Sequence, residues 1–319
     1  MAKTMDEAAL RGFLGVDGEA KAAPTPYTGN ARYLSSLDGF NIERPPVPAH
    51  VFLAERDRVF AAGAPTGLIP LDLSRLLEVP GPATTPLILA RYARIRAGER
   101  LETAFRASTE LYYVIQGAGT TAFGPGHGET IAWEAGDAFG LPGGTMATHQ
   151  AGGGDALLWM ATNEPALAFE RCRPPAPGDA PIGAVHYRAA EIRRQLLSIY
   201  LDPRGMMMPG KSVNFGNAAF EAARTTTPTF TLAMNSLLPG ESQRAHRHNA
   251  VAVTLVVAGE RCYSMVGGKR VDWEPNAVMI TPPTELHSHH NEGRALALFL
   301  IVQDGGLYYH CRTMGFSYT

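Results

Sequence analysis

The chain contains its own pattern twice. RIRAGERLETAFRASTELYYVIQGAG (residues 94–119) parallels LLPGESQRAHRHNAVAVTLVVAGE (residues 237–260) without a gap, because Gly98 to Gly117 and Gly240 to Gly259 each span 19 residues. On this alignment Ala104 falls on His246 and Arg106 on His248. Further along, WEAGDAFGLPGGTMATHQ parallels WEPNAVMITPPTELHSHHN, with Trp133 opposite Trp273, Pro142 opposite Pro282 and His149 opposite His289. A period of about 140 residues is far too long for a solenoid and has the size of a whole domain, so two similar barrels in tandem are expected. Both copies are β-branched and apolar runs punctuated by Gly and Pro, which predicts a mainly β chain with a few short helices.

Chemistry concentrates in the second copy, which holds five of the ten histidines. His246 and His248 are two residues apart at the start of a strand-like run, and a period of two sends both side chains to one face. His287 follows 39 residues after His248, beyond a turn at Gly267-Gly268 and a Pro282-Pro283 break. Neutral imidazoles are the commonest ligands of first-row divalent metals, so these three predict a metal site with open positions. If the two strand histidines point inward, Arg244, Ala250, Ala252 and Thr254 share their face, which makes Arg244 a candidate to hold a substrate carboxylate or phenolate.

The motifs LLPGESQRAHRHNAVAVTLVVAGE and ITPPTELHSHHNEG resemble the two characteristic motifs of the cupins, in the form of the gentisate 1,2-dioxygenase branch. The resemblance covers about 55 residues of the chain. It implies two cupin (double-stranded β-helix, jelly-roll) barrels, with iron(II) held by His246, His248 and His287, and His289 beside the substrate as a hydrogen-bonding or proton-transfer group. Two positions depart from the pattern. Ala252 stands where many cupins carry a glutamate ligand, which implies a three-histidine site, and Thr254 stands where the gentisate branch tends to carry an arginine for the substrate carboxylate.

The implied activity is that of an iron(II)-dependent, extradiol-type ring-cleaving dioxygenase. Its substrate would be a hydroxylated aromatic acid or related phenol of gentisate, salicylate or hydroxynaphthoate type, and its second reactant O2. Tyr263, Met265, Trp273 and Phe299 are candidate substrate walls, Thr254 is a candidate substrate contact, and Arg312, in the closing stretch, is a second candidate carboxylate anchor. A metal-dependent lyase, isomerase or decarboxylase on the same site, and a non-enzymatic small-molecule-binding bicupin, are the alternatives; oxygen consumption separates them. Bicupins commonly pair through sheets and arms, so a homodimer or homotetramer is expected.

The predicted organisation is an N-terminal arm with lead-in strands (1–84), a first barrel (85–172), a linker with a helix (173–225) and a second barrel carrying the metal site (226–319). In the first barrel Glu110 takes the position of a cupin's acidic ligand and His149 lies near that of the third histidine, too few ligands for a metal. AAEIRRQLLSIYLD in the linker has helical spacing, with Ile192, Leu196, Leu197 and Tyr200 on one side. The run MMMPG, Met206 to Gly210, suits either a substrate mouth or core filling.

At 319 residues and 45% hydrophobic content the chain can bury a sizeable core. A net charge of -2 gives no electrostatic reason to expect nucleic acid or an anionic membrane as partner. The N-terminus has no signal-peptide pattern, and no apolar window is long enough to cross a bilayer, so a cytoplasmic chain is expected. Cys172, Cys262 and Cys311 lack CxxC spacing and read as reduced thiols.

Overall fold

The computed structural model describes residues 5–16, 23–208 and 210–319. It divides into two units, Met1–Glu43 and Arg44–Thr319. In the first, a helix at Glu7–Leu14 begins where the Asp6 side chain accepts from the Ala9 backbone N–H at 2.8 Å and ends at Gly15 in the left-handed region. Neither this helix nor the short 3-10 turn at Thr28–Asn30 buries a residue.

The second unit holds four antiparallel sheets that form two barrels. In the first barrel Ala138–Pro142, Thr109–Gln116, Ala156–Thr162 and Leu89–Ile95 lie side by side, facing Arg100–Thr103, Ala147–Ala151, Ala118–Phe123 and Glu129–Glu134. The second barrel repeats that order strand for strand. Val278–Thr281, Ala252–Ala258, Ala297–Gln303 and Thr231–Leu237 face Ser242–His248, His287–Asn291, Cys262–Val266 and Lys269–Asp272. The repeat expected from the sequence is thus a repeat of topology.

Successive strand residues point to opposite faces, and both faces of the large sheets are buried. In Thr109–Gln116, Tyr112 and Val114 enter the interior of the first barrel, while Leu111 and Tyr113 join a core shared by both barrels. In the second barrel Leu255, Leu300 and Val302 enter that shared core, while Val256 and Phe299 turn to the barrel's own interior. This is why these strands read as nearly unbroken apolar runs. The Tyr92 hydroxyl of the first barrel also donates to the Asn276 carbonyl of the second at 2.5 Å.

The boundaries between copies are more interleaved than the sequence pattern implies. His50–Val51, from the lead-in region, pairs with Val278–Thr281 of the second barrel, whereas Gly67–Pro70 pairs with the first. The segment expected to be a linker gives Val185–Tyr187 to the edge of the first barrel and Lys211–Phe215 to the edge of the second. Edge strands need partners, and the connections supply them. Within the linker, a helix at Ala189–Leu201 buries Ile192 and Leu196 as predicted; Leu197 lies off that stripe and is exposed.

Candidate metal centre

His246 and His248 lie at the end of Ser242–His248, and His287 begins His287–Asn291 directly opposite His246. The three rings converge, with centroids 4.2 Å apart for His246 and His287, 4.8 Å for His248 and His287, and 5.9 Å for His246 and His248. One nitrogen from each lies within 4.8 Å of the others, and all three residues are buried.

The tautomers are set by the backbone. Nδ1 of His246 donates to the Arg244 carbonyl at 2.9 Å, Nδ1 of His248 to Ala250 at 2.7 Å, and Nδ1 of His287 to Glu285 at 2.8 Å. With the proton held at Nδ1, each Nε2 presents a lone pair, and carbonyl support of this kind both orients a ligating imidazole and raises its basicity. Burial lowers the pKa of all three, that of His287 to about 3, so the rings are neutral as ligation requires. The donor set therefore fits a divalent transition metal. Gln303 adds an amide 3.1 Å from His248 Nε2, and Ala252 leaves the acidic-ligand position without a carboxylate.

The imidazoles form part of the wall of a cavity of about 230 Å³. His289 also lines it and is 2% exposed, its ring 5.8 Å from that of His287. Behind it, Ser264 Oγ accepts from Trp273 Nε1 at 2.8 Å, lies 2.8 Å from His289 Nδ1 and donates to Met279 Sδ at 3.7 Å. The serine thus holds the His289 ring through Nδ1 and leaves Nε2 without a partner among the described residues. Burial pushes this histidine's pKa well down.

Thr254 lines the cavity as the alternation predicted, but six other expected contacts take different places, among them Met265, which shares the outer face of its strand with Tyr263, and Phe299, which packs in the barrel interior 4.8 Å from the His289 ring. Arg244 is exposed, donating from Nε to the Thr319 carbonyl at 2.8 Å beside the Tyr318 ring. The strand register slips between Gln243 and His246, and this bulge breaks the alternation that would have aimed Arg244 inward; Gln243 faces the cavity instead. Tyr263 alternates with the inward Ser264 and so lies outside, stacked on His290 with Arg270 over its ring. Trp273 is buried behind His289 and reaches the cavity only through Ser264. Arg312 caps the helix Gly305–Cys311 in the left-handed region and lines a separate surface hollow.

Several lining residues carried no sequence signal. Ser212 and Asn214 come from the edge strand Lys211–Phe215 and Asn235 from the neighbouring Thr231–Leu237, and Met208 and Gly210 place part of the MMMPG run at the cavity; Pro209 and the Met206 side chain lie outside the described residues. Phe316 and Tyr318, on the terminal strand Phe316–Tyr318, pair with Ser242–His248 and place their rings 5.2 and 5.8 Å from His246. Their alternation in GFSY was a legible cue for a short strand.

Residues 234–303 match the Cupin domain. Gentisate 1,2-dioxygenase from Ralstonia sp. is 35% identical over 79 residues, which are 25% of this chain and 22% of that protein. The chain thus matches only about a fifth of the length of that relative. 5-Aminosalicylate 1,2-dioxygenase from Comamonas sp. is 23% identical over 255 residues, 70% of this chain and 67% of that protein. Salicylate 1,2-dioxygenase from Pseudaminobacter salicylatoxidans shares the fold with a TM-score of 0.70 at 16% identity, over 99% of both chains. Residues 234–303 are thus a cupin domain, the chain is similar to ring-cleaving dioxygenases of gentisate and 5-aminosalicylate, and it shares the two-barrel fold of salicylate 1,2-dioxygenase.

Proposed function

We propose that this chain is an iron(II)-dependent, extradiol-type dioxygenase that opens the ring of a hydroxylated aromatic acid or related phenol. The observation that carries this reading is the convergence of three neutral, carbonyl-oriented imidazoles on one cavity, with no carboxylate among the described lining residues. Iron(II) held by His246, His248 and His287 would supply open positions for a chelating substrate and for O2, making their encounter intramolecular.

The remaining tasks fall to the protein. His289 Nε2 hydrogen-bonds a phenolic hydroxyl as the ring enters, while its Nδ1 stays tied to Ser264. Trp273 anchors that serine, so it acts on His289 as a positioning residue. Met208, Met314, Phe316 and Tyr318 supply apolar surface that limits water around the reacting groups. The names of the relatives, dioxygenases of gentisate, 1-hydroxy-2-naphthoate and 5-aminosalicylate, support the choice of substrate type.

Oxygen uptake by anaerobically iron(II)-reconstituted protein, challenged with hydroxybenzoates, aminophenols and hydroquinones, tests the proposal. Uptake that requires both a substrate and His246, with a ring-opened product, is the expected result. Metal bound through His246 with no uptake across the panel would sink the dioxygenase and leave the oxygen-independent lyase, isomerase or decarboxylase.

A further inference from the structure

Two buried polar atoms at the cavity have no hydrogen-bond partner among the described residues: Gln243 Oε1 and Thr254 Oγ1. Both residues line the same cavity as the imidazoles, and Thr254 is 1% exposed. Leaving such atoms unsatisfied costs about 1–3 kcal/mol each, so they favour any ligand that answers them.

Strand register gives their level. His246 and His287 face each other, and Gln303, which pairs with Ala252, touches His248; these residues form one layer. Gln243 pairs with His289, and Thr254 pairs with Ile301, each two residues along its sheet from that layer. Both steps run the same way, because the His289 ring lies 4.8 Å from Phe299, which is two residues further still from Gln303. Two strand residues rise about 6.6 Å, close to the span of a benzene ring with a substituent on its far side. A ring chelated among the three imidazoles therefore presents its far edge to Gln243 and Thr254.

The lining is also electroneutral. Among the described residues it contains no Lys, Arg, Asp or Glu. The nearest cations by sequence are engaged elsewhere, Arg244 on the Thr319 carbonyl and Lys211 on Glu241 at 3.0 Å. A carboxylate brought to this layer would be desolvated with no counter-charge, whereas a hydroxyl or amino group satisfies an amide and a hydroxyl without charge.

We propose that Gln243 and Thr254 are the specificity-determining pair of the cavity, selecting a ring that carries a neutral hydrogen-bonding substituent opposite its metal-chelating oxygens and rejecting one with a second anionic group there. This rests on the proposed chelation of an aromatic substrate. A site built to hydrogen-bond a substituent discriminates strongly against the analogue that lacks it.

The test is anaerobic calorimetry of the iron(II)-loaded chain with four ligands that share one hydroxy-carboxylate chelating pair. Salicylate, gentisate, 5-aminosalicylate and 4-hydroxyisophthalate carry hydrogen, hydroxyl, amino and carboxylate at the same ring position. Gentisate and 5-aminosalicylate should bind roughly tenfold more tightly than salicylate, and 4-hydroxyisophthalate roughly tenfold more weakly. Gln243→Leu and Thr254→Val should each cut the gentisate-to-salicylate ratio, and together bring it to within about twofold, while Thr254→Ser preserves it. A ratio that survives the double substitution, or a 4-hydroxyisophthalate affinity equal to that of gentisate, overturns the pair's role while leaving the dioxygenase reading intact. Failure of all four ligands to bind the metal-loaded chain overturns that reading, and this inference with it.

Discussion

Glu110→Gln should make the protein more stable, and increasingly so as pH rises. Glu110 is 2% exposed in the interior of the first barrel, where its carboxylate accepts the Tyr112 hydroxyl. The nearest cation in play, Arg91, is committed to Glu164 at 2.5 Å. Burial raises the Glu110 pKa from 4.5 to about 8. A folded-state pKa above the unfolded one means that the folded chain keeps a proton the unfolded chain has lost. Stability is therefore lost as pH rises from 4.5 towards 8, by about 1.4 kcal/mol per pH unit and on the order of 3–5 kcal/mol in total. Glutamine keeps an acceptor for Tyr112 and carries no charge. Its advantage over the wild type should be near zero at pH 4.5 and should reach several degrees in Tm at pH 8, at about 2 °C for each kcal/mol in a chain this long. Thermal unfolding of both proteins across that range reads the difference directly. A gap that does not change with pH, or a variant less stable at pH 8 than the wild type, would refute the assignment of a buried neutral carboxyl.

Three further outcomes concern the second barrel. His246→Ala should abolish metal-dependent oxygen uptake and the metal's stabilisation of the fold, which for a hundredfold excess over Kd is worth about 2.7 kcal/mol and is read as a lost Tm shift. Ser264→Ala strips the partner from both Trp273 Nε1 and His289 Nδ1, and should lower kcat by roughly tenfold with a smaller change in KM; Ser264→Thr should restore it. Arg244→Ala should leave steady-state turnover within about twofold of wild type, since the bulge turns this side chain away from the cavity.

The three-histidine cluster was legible because its signal is local: HxH on a strand places two rings on one face, and a third histidine after a turn supplies the partner. The two-barrel architecture was legible from the repeat. Arg244 was misplaced because a bulge is a property of strand pairing, not of residue type, and one extra residue reverses every face before it. Ser212, Asn214 and Asn235 were invisible for a related reason. They reach the cavity only through strand pairing, Ser212 directly opposite Asn235 where the edge strand Lys211–Phe215 joins the sheet.

The two barrels differ both in this bulge and in the side chains they set at equivalent positions. On the gap-free alignment Ala104 and Arg106 stand opposite the histidines, yet both are exposed. Strand pairing gives the true equivalents: Leu101 faces His149 as Gln243 faces His289, and Thr103 faces Ala147 as His246 faces His287. The second barrel thus carries one more residue between the two pairs, and the next inward position after Thr103 is Phe105, in the barrel core. Where the second barrel sets three imidazoles, the first sets Thr103, Phe105 and Ala147. The support behind them is unchanged, since Trp133 Nε1 donates to Thr121 Oγ1, which lies 2.8 Å from His149 Nδ1 as Ser264 does from His289. In the first barrel, however, the other nitrogen, His149 Nε2, is tied to Thr103 Oγ1 at 3.1 Å, and burial holds the ring's pKa to about 4. His149 is consumed by its own barrel's hydrogen bonds. His289, supported in the same way, has no partner at Nε2 among the described residues, and its ring lies beside three converging imidazoles.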